Sequence, residues 1–549
     1  MNTEVAPESD VKPPSRRDWL ALAVLSIGLG LIVLDGTIVG VALPDIIADL
    51  SLEFAEAQWV NSLYAVVLAA LLLSTGKLAD AVGRKRLFVA GLAVFMGGSV
   101  LAAMSEGASM LIAARAVQAL GAAMIMPSTL STVNAVFRGR YRAAAFGVWG
   151  AVISGAAAVG PLAGGALTQW ASWHWIFLVN VAVGAAVIVA ALATVPETSG
   201  VRSRPGADVD GALLSAIGFG MLVFGVIEGP DLGWWTPKES FAFFGFEWSV
   251  NAAVSPVPVA LCIAVVSLVL FVRWEIHRDR VRRSALLDVT LFDLRTFSWG
   301  NITAGMVAVG EFAIIFVLPL NLVNALGLSF IASGVVLAAM AIGAFFSGAM
   351  ARHLAARVGS PGTVIFGLSL ELAGVLGLIV FVGVSESAWA VALPLIVYGL
   401  GLGLASAQLT GTVLQDVPVE VSGQASATQS TVRQIGTALG TAFAGAAMSI
   451  ALASTLPSAL ASAGFSGASA SQYAEATRQS AGSAIAALRE QGSASQFGSQ
   501  SEEVVHALSV GMGQATQIAL LCAGAFLVLG LIGAVQVKRA AEYSSVESS

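Results

Sequence analysis

Charge is scarce in this chain. Asp, Glu, Lys and Arg make up 11% of its 549 residues, and apolar residues make up 57%. That balance excludes a soluble globular protein of this length. Cysteine is scarcer still. Cys262 and Cys522 are the only two, and both lie in apolar runs, so they provide neither a disulfide framework nor a metal site. Strict alternation of apolar and polar residues is missing, so membrane-spanning strands are not expected. No metal cluster, nucleophile–base set or phosphate-binding glycine loop stands at a membrane surface, which argues against an enzyme and against a bound cofactor. No soluble output domain is present, which argues against a sensor. The net charge of −6 says little about partners, because the basic residues are segregated by side, and no nucleic-acid partner is expected.

What the chain does have is apolar runs of about twenty residues, the length that crosses a bilayer as a helix. They fall near 18–44, 57–79, 87–105, 109–134, 143–170, 174–195, 209–229, 256–274, 299–322, 331–350, 362–383, 389–414, 425–452 and 511–536. The expectation is an all-α polytopic membrane protein with about fourteen transmembrane helices. An even count puts both termini on one side. The polar segment 1–17 leads into a span too long for a signal peptide, so an uncleaved anchor is expected.

Basic residues choose the side. Lys12, Arg16, Arg17, Lys77, Arg84, Lys85, Arg86, Arg138, Arg140, Arg142, Arg202 and Arg204 all fall on one face of this map. So do Arg273, Arg278, Arg280, Arg282, Arg283, Arg295, Arg352, Arg357, Lys538 and Arg539. Lys238, Arg478 and Arg489 fall on the other. The positive-inside rule therefore makes both termini cytoplasmic. Two outer segments are long. Residues 230–255 carry Trp234, Trp235, Phe241, Phe243, Phe244 and Trp248, which suit an interfacial aromatic belt. Residues 453–510 are rich in Ala, Ser, Gly and Gln. They are expected as a solvated, mobile loop, with a weakly amphipathic helix near 471–490 as the alternative.

Ionisable residues inside the spans are the candidates for function, because each costs a few kcal/mol or more at membrane depth. Asp35 sits well inside the first span, in LIVLDGTIVGVALP. Arg115 and Gln118 are three apart in the fourth span and share a face. Counted at ~1.5 Å per residue, Asp35 lies roughly 13 Å and Arg115 roughly 9 Å from the outer end, so charge compensation is possible. Glu311 lies mid-span and opens the second half as Asp35 opens the first. Glu371 is also mid-span, with a structural and a functional role both open. Arg433 is a further cation within a span, suited to balancing an acid or holding an anionic group, with packing as the equal alternative. Glu228 lies near an outer end and needs no special role.

Three patterns are more specific. GKLADAVGRKR, Gly76–Arg86, ends the second span: Gly76 permits close approach, Asp80 can face the positive end of a neighbouring helix, and Gly83 permits a turn before Arg84. Leu354–Gly359 repeats Leu78–Gly83 at four of six positions, with Ala356 in place of Asp80, which is the mark of two related halves. In the fifth span GAAAVGPLAGG carries Gly155, Gly160, Pro161, Gly164 and Gly165, so close packing and a bend are expected.

These motifs resemble those of the major facilitator superfamily. The loop after the second helix resembles its signature, Arg115 and Gln118 resemble its fourth-helix motif, and Gly155–Gly165 resembles the antiporter motif of its exporters. Leu34, Asp35, Thr37, Ile38, Val39, Val41, Ala42, Leu43 and Pro44 are similar to the first-helix motif of its fourteen-helix drug:proton antiporters, with Gly40 where Asn is usual. Trp173–Asn180 resembles the same family, with His174 where Arg is usual. The resemblance implies a cytoplasmic tail at 1–17 and a six-helix bundle at 18–195. Two linker helices follow within 196–298, then a second six-helix bundle at 299–536 that includes the loop 453–510, and a tail at 537–549.

It also implies a proton-coupled exporter working by alternating access, with Asp35, Arg115, Glu311 and Glu371 in coupling. A large apolar cavity with few acids favours lipophilic, often cationic, molecules. Trp59, Asn61, Tyr64, Gln118, Met124, Phe312, Asn321, Gln408, Gln429 and Arg433 are its candidate lining, from span position. The partners expected are a lipophilic small molecule, protons and lipid, with the monomer as the working unit. The rival readings are a dedicated exporter of one lipid, siderophore or endogenous antibiotic and, less favoured, a membrane-embedded enzyme or sensor.

Overall fold

The computed structural model describes residues 13–137, 140–198, 208–243, 246–384, 388–418 and 421–547. Lys12, Arg138, Arg202, Arg204 and Phe244 lie outside these. The first six helices are α1 (Arg16–Asp49), α2 (Phe54–Val82), α3 (Arg84–Ala103), α4 (Ala108–Val136), α5 (Arg140–Trp170) and α6 (His174–Thr194). Then come α7 (Val209–Ile227), the short α8 (Gly229–Leu232), strands β1 (Phe241–Phe243) and β2 (Phe246–Trp248), and α9 (Pro256–Arg280). The last group is α10 (Arg295–Leu320), α11 (Phe330–Val384), α12 (Ala388–Val413), α13 (Ser422–Ser462), α14 (Ala468–Gln479), α15 (Ser483–Gln491) and α16 (Ser501–Glu547).

Local chemistry sets several boundaries. Ser15 and Asp18 form a reciprocal capping box that starts α1. Ser255 caps α9 just before Pro256 at its first position. α11 is two helices joined at Gly359, whose φ of 77° only glycine adopts freely, with Pro361 just beyond. Among the described residues twelve helical stretches are long and apolar enough to cross a membrane. One is the fused α11, and α5, 31 residues long, adds a further spanning length, which makes fourteen.

The helices alternate in direction. Both ends of the described chain lie at the basic end, with Arg84, Lys85 and Arg86; Arg17 there donates to the carbonyls of Ala193 and Thr194. At the opposite end α1–α6 and α10–α16 share one continuous core. It runs from Ile38, Ile46 and Phe54 through Phe316 and Leu322 to Leu456 and Leu508, with Phe54 and Phe316 stacked at 6.0 Å. Toward the basic end that core divides in two. One part, with Phe88, Phe95 and Phe137, belongs to α1–α6. The other, with Phe297, Leu368 and Val413, belongs to α10–α13 and α16. The two halves are therefore joined at one end and parted at the other.

One expectation is corrected. The segment 453–510 is folded. α13 runs on to Ser462, and α14 and α15 lie over the closed end with Ala474, Ile485 and Leu488 buried in the shared core. Small side chains pack closely here, so low hydropathy does not mean solvation. Strands also occur, as a three-residue antiparallel hairpin pairing Phe241 with Trp248 and Phe243 with Phe246. It lies in the segment between α8 and α9, where lipid places no ban on a short sheet edge.

The inserted pair α7 and α9 is not placed alike. α7 packs on the seam between α2 and α13, with Val223, Val226 and Ile227 against Ala65, Val66, Ala438 and Ala442. α9 packs on α7. The chain after α9 is stitched down at the basic end. Lys77 of α2 donates to Ser284 Oγ at 2.8 Å and to the Ala285 carbonyl. Glu275 accepts from the Leu287 N–H at 3.0 Å, and Gln424 of α13 reaches the Leu286 carbonyl at 3.4 Å.

Candidate functional site: a buried charge network

Asp35 is fully buried and has three donors. Arg115 Nη1 lies 2.5 Å from Oδ2, Asn180 Nδ2 donates to Oδ1 at 2.7 Å, and Gln118 Nε2 to Oδ1 at 3.2 Å. Arg115, 1% exposed, also donates to Gln118 Oε1 at 2.9 Å and to the Val60 carbonyl at 3.2 Å. Its guanidinium lies 4.2 Å from the centre of the Tyr64 ring. Ser99 accepts from Gln118 at 2.8 Å and from Asn180 at 3.4 Å, and donates to the Phe95 carbonyl at 2.9 Å. Helices α1, α2, α3, α4 and α6 thus share one polar network, with α4 and α6 donating directly to the carboxylate.

Asn180 and Ser99 were not singled out from the sequence. A neutral polar residue barely marks a hydropathy profile. The available signal was Asn180 closing the Trp173–Asn180 motif.

Close packing makes room for this network. A Cβ on Gly121 would fall 2.5 Å from the Phe95 backbone nitrogen, and one on Gly98 would fall 2.7 Å from the Gln118 backbone nitrogen. In α5, Gly160 faces Thr37 and Gly164 faces the Ile38 carbonyl at 2.9 Å, beside Asp35's own stretch. Gly165 faces the Phe330 carbonyl of α11 at 2.5 Å, and Gly334 faces the Pro161 carbonyl at 2.5 Å, which joins the halves at the closed end. Gly155 has open space in the direction of a Cβ.

At the basic end Gly76 lies against Pro127. Asp80 pairs with Arg84 at 2.8 Å, the first residue of α3, and Arg84 donates to the Ser131 carbonyl of α4 at 2.9 Å. The partner of Asp80 is thus a guanidinium at the N-terminal end of the neighbouring helix α3. Gly83 has φ 113°, and Glu197 stands 2.7 Å from where its Cβ would be.

The second half is looser. Arg433, 40% exposed, stands 3.9 Å from Glu311. Glu371 is fully buried at the crossing of α11 and α12, where a Cβ on Gly401 would lie 2.5 Å from its nitrogen. Neither of its carboxyl oxygens has a hydrogen-bond partner, nor has the hydroxyl of the fully buried Tyr398. Glu371 lies within electrostatic reach of Glu311 and Arg433.

The candidate lining residues are scattered. Trp59 turns to α7, where its indole donates to Glu228 at 2.7 Å beside Phe224. Asn321 is buried against Thr516 of α16 at 3.2 Å. Gln118 and Tyr64 belong to the Asp35 network. Gln408 accepts from Ser360 at 3.0 Å, and Gln429 donates to Thr410 at 3.3 Å. Met124 packs toward Gly91, while Asn61 and Phe312 are half-buried. Glu228 is the residue the sequence undervalued. Burial pushes its carboxyl above the ordinary glutamate range, Asp231, Glu53 and Glu56 push the same way, and the Trp59 hydrogen bond opposes them. On the cap, Arg478 pairs with Asp231 at 2.9 Å and with Glu475 at 2.7 Å. Arg489 donates to the Asn324 and Ala325 carbonyls. Among the described residues no group of three or more His, Cys, Asp or Glu is arranged to hold a metal ion.

An all-helical polytopic bundle whose two halves meet at one end and part at the other is the architecture of a transporter that rocks about a central site. The chain belongs to the Major Facilitator Superfamily, which it matches over residues 25–441. It is 33% identical over 418 residues to the methylenomycin A resistance protein of Bacillus subtilis, covering 76% of this chain and 84% of that one. It is 31% identical over 431 residues to the multidrug efflux pump LfrA of Mycolicibacterium smegmatis, covering 78% and 80%. In fold it is similar to a bacterial homologue of the human lysosomal transporter Spinster, solved in an inward-facing, unoccupied conformation. The TM-score is 0.61 at 16% identity, over 96% of this chain and 99% of that one.

Proposed function

We propose that the protein is a proton-coupled antiporter that exports lipophilic, often cationic, compounds across a bacterial cytoplasmic membrane. In this reading the basic end and both termini are cytoplasmic, and one chain is the working unit. The observation that carries it is Asp35: a fully buried carboxylate, mid-helix, whose donors come from α4 and α6 and are themselves held by Ser99 of α3. Export, rather than uptake, is supported by the glycine-rich α5 packed beside Asp35 and by relatives named for resistance and efflux.

The residues divide the work. A carboxylate's proton affinity falls beside a cation and rises as that cation withdraws or water leaves. Rocking of the halves changes the water around Asp35 and the reach of Arg115, so the acid loads a proton on one side and gives it up on the other. Glu311 and Arg433 form the corresponding, looser pair in the second half. Glu371 is a further acid within their reach. Asp80 and Arg84 tie α2, α3 and α4 at the basic end, so the first half moves as one body.

The test is efflux by reconstituted protein under an imposed pH gradient, outside acidic. The expected result is uphill export with release of protons on addition of substrate, both lost in Asp35→Asn and weakened in Glu311→Gln. Undiminished gradient-driven export by Asp35→Asn at native folded amounts would sink the reading. A dedicated exporter of one amphiphile is the second reading, favoured by the folded cap over the closed end. Competition among unrelated cations in inverted vesicles separates the two.

A further inference from the structure

Within the Asp35 network the two amides are not equivalent. Gln118 is held at both ends: its nitrogen donates to Asp35 and Ser99, and its carbonyl accepts from Arg115. Turning it over would set its NH2 against the guanidinium. Asn180 is held at one end only. Its nitrogen donates to Asp35 Oδ1 at 2.7 Å and to Ser99 at 3.4 Å, but its carbonyl oxygen, in a fully buried residue, accepts nothing. The orphaned amide oxygen would gain a donor if Asp35 were protonated. A protonated Asp35 has an O–H to donate, and at Oδ1 it would meet the Asn180 NH2, donor against donor.

We propose that Asn180 is a positioning residue that turns over by about half a turn at χ2 when Asp35 gains its proton. Once rocking of the halves brings water to the site, a proton from it adds to Asp35 Oδ1. The Asn180 amide rotates, and its Oδ1 accepts the new O–H, while Arg115 keeps its charge and its bonds to Gln118 and Val60. On release the proton returns to water and the amide turns back to donate to the carboxylate. The charged and titratable groups facing Asp35 among the described residues are Arg115 from α4 and Tyr64 from α2; α6 contributes Asn180 and α3 contributes Ser99. Ser99 accepts from Asn180 in the present orientation, and in the turned one its single O–H would leave the Phe95 carbonyl to reach Asn180 Oδ1. The amide turn thus accompanies the change of protonation state that rocking of the halves brings about.

This role rests on Asp35 being the proton carrier, and infrared difference spectroscopy on the full-length protein in liposomes tests it. A pH step should give a protonated-carboxyl band that is absent in Asp35→Asn. With asparagine isotope-labelled at its side-chain amide, an amide carbonyl change should accompany that band and should also vanish in Asp35→Asn. In Asn180→Leu the carboxyl band should move to the higher frequency of an O–H without an acceptor, and the amide change should be lost. Asn180→Ala is read the same way if the leucine variant does not fold, and the labelled native protein decides alone if neither does. A carboxyl band unmoved by either substitution, or no labelled amide change in native protein, overturns the proposal. Retained export by Asp35→Asn is a different failure, and it strikes the antiport reading instead.

Discussion

Asp35 and Arg115 are 0% and 1% exposed, so neither can find water if the other is removed. Breaking such a pair from one side leaves a buried charge and costs about 3–5 kcal/mol. Arg115→Gln is therefore expected to lower the thermal unfolding temperature in detergent strongly. The double variant Asp35→Asn, Arg115→Gln should regain part of the loss while remaining uncoupled, and equal destabilisation in single and double variants would contradict the pairing. Glu228 behaves oppositely. Its neutral form is favoured, so folded stability falls as pH rises from the ordinary glutamate value of 4.5 through its raised one. Glu228→Gln keeps an acceptor for Trp59 and removes that loss, and should be at least as stable as native protein at neutral pH in thermal scans.

At the scale of elements, α5 and α11 approach through glycine on both sides. A methyl on Gly165 or Gly334 would meet backbone carbonyl at 2.5 Å, and backbone cannot step aside cheaply. Gly165→Ala and Gly334→Ala should each destabilise the closed end by about 1–3 kcal/mol, seen as faster labelling of cysteines placed there. The cap is held by charge. Arg478's hydrogen bonds draw the Glu475 carboxyl below its ordinary 4.5. The attachment it contributes is thus complete above that value and fades as pH falls through the lowered one. Limited proteolysis of α14–α15 should become faster under acid, and in Arg478→Ala should already be fast at neutral pH.

The same elements mark what the sequence could tell. The membrane helices were legible because twenty apolar residues have few other fates. Asp35 and Arg115 stood out because charge is rare in oil. The cap was not legible: Ala, Ser and Gly carry little hydropathy, and only the packing of Ile485 and Leu488 against the shared core orders them. Nor was the direction of Trp59, since a helix position gives depth but not which neighbour a side chain meets once α7 occupies the seam. Ser99 was invisible for want of charge.

On the scale of the whole molecule, the shared core at one end and the divided core at the other define a single state, open toward the basic end. Cysteines at Gln169 and Ile331, where a side-chain oxygen now accepts from backbone at 3.2 Å, should cross-link readily in this state. The cross-link should stop transport and be reversed by reductant. Slow cross-linking without a gradient would mean that another state prevails.

The placement of α7 makes the molecule lopsided. It covers part of the seam between α2 and α13 and is backed by α9, while among the described residues no helix is seen laid over α5 and α11 in the same way. On the export reading, a greasy solute wandering in the inner leaflet is therefore expected to enter on the α5–α11 side.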